Sequence, residues 1–268
     1  MSDLVALTMP HQGVALVTFG DPTINNNLSW AGAGSIAAAL RDAREAGARV
    51  TVVASSTPGH WLEHAWLTDL VASVKGEPTT GPGRGFYDCL RELLDPEVIS
   101  IAAIDGDTSG GGCELGWAHD LRVASRGARF AQPEILLGIP TGIGGTARLG
   151  RLIGPTVAAE MIYDGRPVTA GRLHALGAVN RLVPDGEATI EAVDWAAQLA
   201  TRSPAALTAI KRSLLATMEM PLTDALRYEQ ENFQTVVGNP DAVAQMQATQ
   251  DKLDAGASFR ELYGDPAD

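Results

Sequence analysis

The chain reads as a layered α/β domain followed by a helical C-terminal third. Three observations predict this: strand and helix patterns alternate through the first third, a buried-strand pattern runs into glycines at 110–112, and Ala/Leu-rich amphipathic segments dominate from about Pro155. Apolar alternation marks strands at Leu4–Met9 and Val14–Phe19, the Ala-rich stretch Ser35–Glu45 is an amphipathic helix, and Val50–Ser55 is a buried strand. Lys75–Gly85 is dense in Gly, Pro and Thr and is expected to be a mobile loop, with helical periodicity resuming over Phe86–Leu94. Ile99–Ile104, apolar and bounded by Pro96 and Asp105-Gly106, is a buried strand. Beyond Gly111 the positions Cys113, Leu115 and Trp117 admit a helix, and Leu121–Ala124 offers the next strand. Thr169, Thr189, Ser203 and Pro221 are helix starts, and helical segments continue to about Leu253. Residues 1–195 are expected to form the core domain and 196–268 a C-terminal helical region, with Gly264–Asp268 a loose tail.

Bulk properties narrow the function classes. A chain of 268 residues with 45% hydrophobic and 19% charged residues buries a substantial core and is not disordered. Twenty Lys+Arg against 32 Asp+Glu give a formal charge of −12, which disfavours nucleic acid or an anionic membrane as partner, so an acidic ligand would need a local basic pocket. No apolar run reaches the ~20 residues of a membrane helix, and Met1-Ser2-Asp3 lacks a signal-peptide layout, so a cytoplasmic location is expected. Cys89 and Cys113 form no CxxC pair and are expected to stay reduced. Only His60 and His64 share helical i,i+4 spacing, and without a matched third ligand no metal is expected.

Chemistry concentrates at Gly110-Gly111-Gly112-Cys113-Glu114. Glycines between a strand and a helix let the backbone approach a ligand with no Cβ in the way. At a helix's first turn the N–H groups lack internal partners and carry partial positive charge, which suits an oxygen that becomes negative during reaction. Gly111 is the candidate oxyanion donor, flanked by Gly110 and Gly112. A glycine triplet alone is more often a tight turn, Glu114 alone a first-turn acid facing the helix dipole, and Glu134 alone a loop charge after a proline.

The surroundings change that balance. The stretch Ala103–Ala124, then Ala128-Arg129-Phe130-Ala131-Gln132-Pro133-Glu134, Gly144-Gly145-Thr146-Ala147-Arg148-Leu149, Asp164–Ala170 and Leu176–Pro184 follow one another as in the crotonase (enoyl-CoA hydratase/isomerase) superfamily, which the chain resembles strongly over about Pro96–Pro184. The resemblance implies a crotonase-like α/β fold, a ββα superhelix with two stacked sheets and C-terminal helices that mediate trimer contacts, so a homotrimer or hexamer. It implies Glu114 and Glu134 as the two catalytic acids of a hydratase, with Pro133 and Gly142 beside the substrate. Adding water to an α,β-unsaturated thioester needs one carboxylate to take a proton from water and an acid to protonate the α-carbon. Neighbouring carboxyls push their pKa values apart, so the roles divide.

Where the family writes Phe-x-Ala-Gly-Ala-Asp-Leu around its first oxyanion donor, this chain has Trp61-Leu62-Glu63-His64-Ala65-Trp66-Leu67. Ungapped alignment places Glu63 at the donor position and His64 at the glycine, while His64 and Trp66 are expected to narrow the space for the adenine and pantetheine of CoA. Asp21–Ser29 lacks a basic residue, and Lys252 and Lys211 are the few basic groups at family positions. The first reading is therefore an enoyl-CoA hydratase-like lyase on an acyl-CoA substrate, with CoA as part of the substrate and no separate cofactor. A second keeps the fold and enolate chemistry as an isomerase, or as a hydrolase of a thioester or C–C bond, without CoA if the narrowed segment excludes it. A third is a silent scaffold subunit, against which the retained Glu114, Glu134 and glycines argue.

Overall fold

The apolar runs Val50–Ser55 and Ile99–Ile104 become central strands of the main sheet because they are buried on both faces, as parallel pairing demands. A computed structural model describes residues Leu4–Gly264. In chain order the strands are β1 (Val5–His11), β2 (Val14–Phe19), β3 (Val50–Ser55), β4 (Gly59–His60), β5 (Ile99–Ile104), β6 (Gly106–Ser109), β7 (Leu121–Ser125), β8 (Arg129–Ala131), β9 (Val168–Thr169) and β10 (Arg181–Val183). A six-stranded sheet runs β1-β2-β3-β5-β7-β10, with only the β1/β2 hairpin antiparallel. A four-stranded sheet runs β4-β6-β8-β9 and is closed by the antiparallel β8/β9 pair. Strands β3, β5 and β7 each continue into a short strand of the second sheet (β4, β6 and β8), then into a helix or turn. That is the stacked-sheet ββα arrangement expected of the chain.

The helices begin with α1 (Trp30–Glu45), α2 (Leu67–Lys75), α3 (Gly85–Leu93) and α4 (Gly110–Ala118). They continue with α5 (Gly145–Ile153), α6 (Pro155–Asp164), α7 (Ala170–Ala175) and α8 (Ala188–Ala200). One face of the main sheet (Val17, Phe19, Val53, Ala102, Ile104) packs with α1, α3 and α4. The other (Val50, Val52, Ile101, Val123) is covered by α8, whose Ala188, Ala192, Ala196 and Ala200 recur every four residues and let the helix lie close to the strands. Helix α4 is buried at every position, so its sequence is apolar all round rather than amphipathic. Buried Arg122 fastens it: the guanidinium donates to the carbonyls of Gly116 (3.2 Å), His119 (2.6 Å) and Ala178 (2.5 Å), occupying carbonyls at the helix's end. Burial brings its pKa down to about 10.

A first compact unit extends to Arg202 and a second begins at Ser203, so a division after residue 195 falls inside α8. The second unit holds α9 (Pro204–Thr217), α10 (Leu222–Val237), α11 (Pro240–Asp254) and α12 (Phe259–Tyr263), with α9 and α10 packed together. Two further readings are corrected. Lys75–Gly85 is not a free loop, since buried Asp69 accepts hydrogen bonds from Thr80 N (2.8 Å), Thr80 Oγ1 (2.5 Å) and Trp30 N (2.8 Å) and ties the segment to the start of α1. His60 lies in β4 and His64 in the loop after it, so their i,i+4 spacing is not helical. Of the expected tail only Gly264 lies within the described residues, and no helix among these is long and apolar enough to cross a membrane.

Candidate active site

Two strand-to-helix corners meet at one cavity of about 200 Å³ in the first unit, lined by His64, Ala65, Phe86, Gly110, Gly111, Glu114, Pro133, Glu134, Leu137, Ile139, Pro140, Gly142 and Ile143 among others. The first corner is the end of β6 and the start of α4. Ser109 is the N-cap, yet its hydroxyl donates to Glu63 Oε2 (2.5 Å) instead of accepting from the first turn. The leading N–H groups of α4 are therefore left uncapped, and Gly111 N–H faces the cavity with no acceptor among the described residues. Gly110 takes φ +46°, a left-handed value that only glycine adopts cheaply.

The second corner is Glu63–Trp66, and its register decides which N–H is available. Glu63 N–H donates to Asn26 O (3.0 Å), Leu28 N–H to His64 O (2.9 Å) and Trp66 N–H to Leu28 O (3.0 Å), forming a parallel bridge between Leu28 and Ala65. Glu63 is thus not the oxyanion donor that its alignment position implies. Ala65 N–H has no acceptor among the described residues, lines the cavity and lies so near Gly111 that a Cβ built on that glycine would be 3.3 Å from it. Buried Asn26 (φ +56°) sets this register: its side chain donates to Trp61 O (2.7 Å) and Ser55 Oγ (2.8 Å) and accepts from Asp21 N (2.7 Å) and Thr57 Oγ1 (2.5 Å). Two other expected substrate contacts are also corrected. Trp66 does not line the cavity but stands at the N-cap of α2. Gly112 does not line it either; it is a packing glycine, because any Cβ there would run into the carbonyl oxygens of Leu62 and Glu63.

The two expected carboxyls, Glu114 and Glu134, share the cavity and are held differently. Glu114 Oε1 accepts N–H bonds from Ile143 (2.9 Å) and Gly145 (2.7 Å), at the N-terminus of α5, where the helix dipole favours a carboxylate. The turn that offers those donors is itself fixed by Arg148, which donates to Ile143 O at 3.0 Å. Glu134 lies in the 3-10 turn Pro133–Leu137, started by Pro133 and closed by Gly138 at φ +74°. Trp117 Nε1–H donates to Gln132 Oε1 (2.8 Å), which turns the Gln132 amide nitrogen toward Glu134 Oε1 at 2.9 Å. Glu134 Oε2 is buried and has no hydrogen-bond partner among the described residues. Oε1 is already an acceptor, so a proton on this carboxyl sits on Oε2. Burial, chiefly, raises the Glu134 pKa; Glu114 adds to the rise, while hydrogen bonds from its own backbone and from Gln132, and the charge of His64, oppose it.

Of the expected site residues, the structure brings together Glu114, Glu134, Gly110, Gly111, His64, Pro133 and Gly142, and leaves Glu63, Trp66 and Gly112 outside the lining. Ala65, Phe86 and the apolar wall Leu137–Pro140 were not foreseen. Buried Asn26, next to a strand-like Leu28, is the local feature that bears on Ala65.

The enoyl-CoA hydratase/isomerase family profile matches residues 10–256, and the chain belongs to that family. A carnitinyl-CoA dehydratase of Salmonella enteritidis is 37% identical over 191 residues, 69% of this chain and 73% of its own length. The crystal structure of an enoyl-CoA hydratase from Bacillus anthracis superposes with a TM-score of 0.83 at 26% identity, covering 93% of this chain and 97% of that one. One from Mycobacterium marinum gives 0.81 at 28%, covering 93% and 96%.

Proposed function

We propose that the protein is a hydro-lyase that adds water to, or removes it from, an α,β-unsaturated acyl-CoA thioester. The observation that carries this reading is the pairing, in one cavity, of a carboxyl pinned by two peptide N–H groups with a second whose Oε2 is buried, neither that oxygen nor the two neighbouring N–H groups having a partner among the described residues. The thioester oxygen sits between the N–H groups of Ala65 and Gly111 and gains negative charge as water attacks the β-carbon. Glu114 takes the proton that water loses. Glu134, whose proton burial holds more tightly, gives it from Oε2 to the α-carbon, so that H and OH are added across the double bond. The carboxyls regain their starting states by proton exchange with solvent, and dehydration runs the same steps backwards.

An apolar cavity of about 500 Å³ sharing Glu134, Ile139 and Pro140 with the first supplies room for an acyl group. Coenzyme A enters as half of the substrate, not as a resident cofactor. Exposed Leu214, Leu222, Leu226, Phe233 and Met246 in the second unit support self-association, as a homotrimer or a hexamer of two trimers.

Turnover of crotonyl-CoA and longer enoyl-CoA thioesters, followed by loss of the conjugated absorbance, tests the reading. Glu114→Gln and Glu134→Gln are each expected to lower kcat by about 10²–10⁴-fold. Retention of turnover in both variants, or no wild-type turnover at any chain length, overturns it.

A further inference from the structure

We propose that His64, which stands where the family resemblance places a glycine, is a positioning residue: its imidazole clamps the Ala65–Trp66 peptide, the unit that adjoins the one presenting the Ala65 N–H to the substrate oxygen. This rests on the hydro-lyase reading above for its kinetic consequences, but the clamp itself stands on geometry. His64 Nδ1 is 2.8 Å from Ala65 O. A carbonyl oxygen only accepts, so Nδ1 carries a hydrogen and donates it. The bond holds the carbonyl of the residue whose N–H is the candidate oxyanion donor.

A second contact makes the clamp a wedge. His64 Cβ lies so close to Gly110 that a Cβ built there would be 2.7 Å away, so the ring's base rests on the left-handed glycine that opens α4. His64 is therefore tied by its side chain to Ala65 and packed against Gly110, between the two N–H groups that must converge on one oxygen. A glycine at 64 can do neither. The parallel bridge to Leu28 holds both peptides of Ala65, through Leu28 N–H to His64 O (2.9 Å) and Trp66 N–H to Leu28 O (3.0 Å), and the His64 bond adds a restraint on the Ala65 oxygen, which the bridge leaves untouched. The bulky residue at a glycine position thus adds, through a hydrogen bond, a restraint beside the open N–H that the backbone bridge alone does not give.

The replacement series follows from where amide nitrogens fall. The side-chain nitrogen of Asn reaches the place of Nδ1 and donates from it; that of Gln reaches the place of Nε2 and does not. His64→Ala and His64→Gln are expected to lower kcat about ten- to a hundredfold with KM changed less than about threefold, and His64→Asn to stay within about threefold of wild type. Were His64 an acid or base working through Nε2, Asn would fail as badly as Ala and the pH profile would lose a limb. A Gln variant that outperforms Asn, or an Ala variant with full kcat, overturns the clamp.

Hydrogen exchange of the peptide spanning Leu62–Leu67 supplies a readout independent of turnover. Exchange is expected to quicken in His64→Ala and to return to the wild-type rate in His64→Asn; equal rates in all three overturn the clamp. If the wild type turns over no enoyl thioester, the hydro-lyase reading falls while the exchange result still decides the clamp. If His64→Ala does not fold, the Asn against Gln comparison decides it.

Discussion

The two corners that meet at the cavity solve the same problem by opposite means. At Ser109–Glu114 the backbone is laid bare by three glycines and by a cap residue whose hydroxyl is drawn off to Glu63. At Glu63–Trp66 no glycine is present, and the open N–H arises from register, since the bonds at positions 63 and 66 are made to Asn26 and Leu28 and position 65 is skipped. Peptide availability is thus written in composition at one corner and in strand pairing at the other. Only the first kind of information is visible along a single stretch of chain.

The contrast is sharpest where the corners touch, at Gly112. Gly→Ala inside a helix ordinarily stabilises by about 0.5–1 kcal/mol, because glycine loses more backbone freedom on folding. Gly150 in α5 meets nothing within 4 Å, and Gly150→Ala is expected to follow that rule. At Gly112 the added methyl would strike the carbonyls of Leu62 and Glu63, backbone that Thr108 Oγ1 holds through a 2.6 Å bond to Leu62 O and that therefore yields poorly. Gly112→Ala is expected to cost about 3 kcal/mol or more and to abolish turnover by forcing the corners apart. Urea denaturation of the two variants checks both signs, and an unchanged midpoint for Gly112→Ala would break the account of how the corners are joined.

The same division explains what the sequence made legible. Strands β3, β5 and β7, helix α4 and the glycine turn follow from apolar runs and glycine alone, and Glu114 is carried with them on the helix. Glu134 stood out only through the resemblance, because its burial depends on Gln132 and Trp117, which are unremarkable in the sequence and become partners only when α4 packs on β8. The open N–H at the second corner lies two residues beyond the position that an ungapped alignment gives, because Glu63 N–H is taken by Asn26 O and the parallel bridge between Leu28 and Ala65 takes the N–H of Trp66. Lys75–Gly85 looked mobile because Gly and Pro mark turns, and the buried acid that pins it, Asp69, lies eleven residues from its partner Thr80.

A smaller effect comes from pH and tests the division between the carboxyls that face both corners. Burial raises the Glu134 pKa, with Glu114 reinforcing and His64 opposing. The neutral form is the one the fold favours, so hydration is expected to hold its kcat above the ordinary carboxyl range and to fall as pH rises through the raised value. The sign for stability is the same: the folded chain binds this proton more tightly than the unfolded one, so stability declines as pH rises from the unfolded to the folded pKa. Glu134→Gln keeps the shape without the titration, and its melting temperature is expected to fall less than that of the wild type across that window. A parallel decline in both proteins would assign the proton elsewhere.

The smallest effect concerns Glu63, whose backbone N–H is engaged and whose side chain faces away from the reaction. Its carboxylate pairs with His60 Nδ1 at 2.9 Å and accepts from Ser109, and partly exposed pairs of this kind contribute about 1 kcal/mol or less. Glu63→Ala leaves the peptide and its bond to Asn26 intact, so the Ala65 N–H stays in place. What it frees is the Ser109 hydroxyl, which is then able to turn back and cap the first turn of α4, competing for the N–H groups that the cavity needs bare. The expected result is a fall in kcat of no more than about threefold, far short of the 10²–10³ that removing an oxyanion donor costs. Ser109→Ala added to Glu63→Ala is expected to recover the loss by removing the competing cap. A hundredfold loss in the single variant would give the Glu63 carboxylate a direct part in the reaction and overturn its placement outside the site.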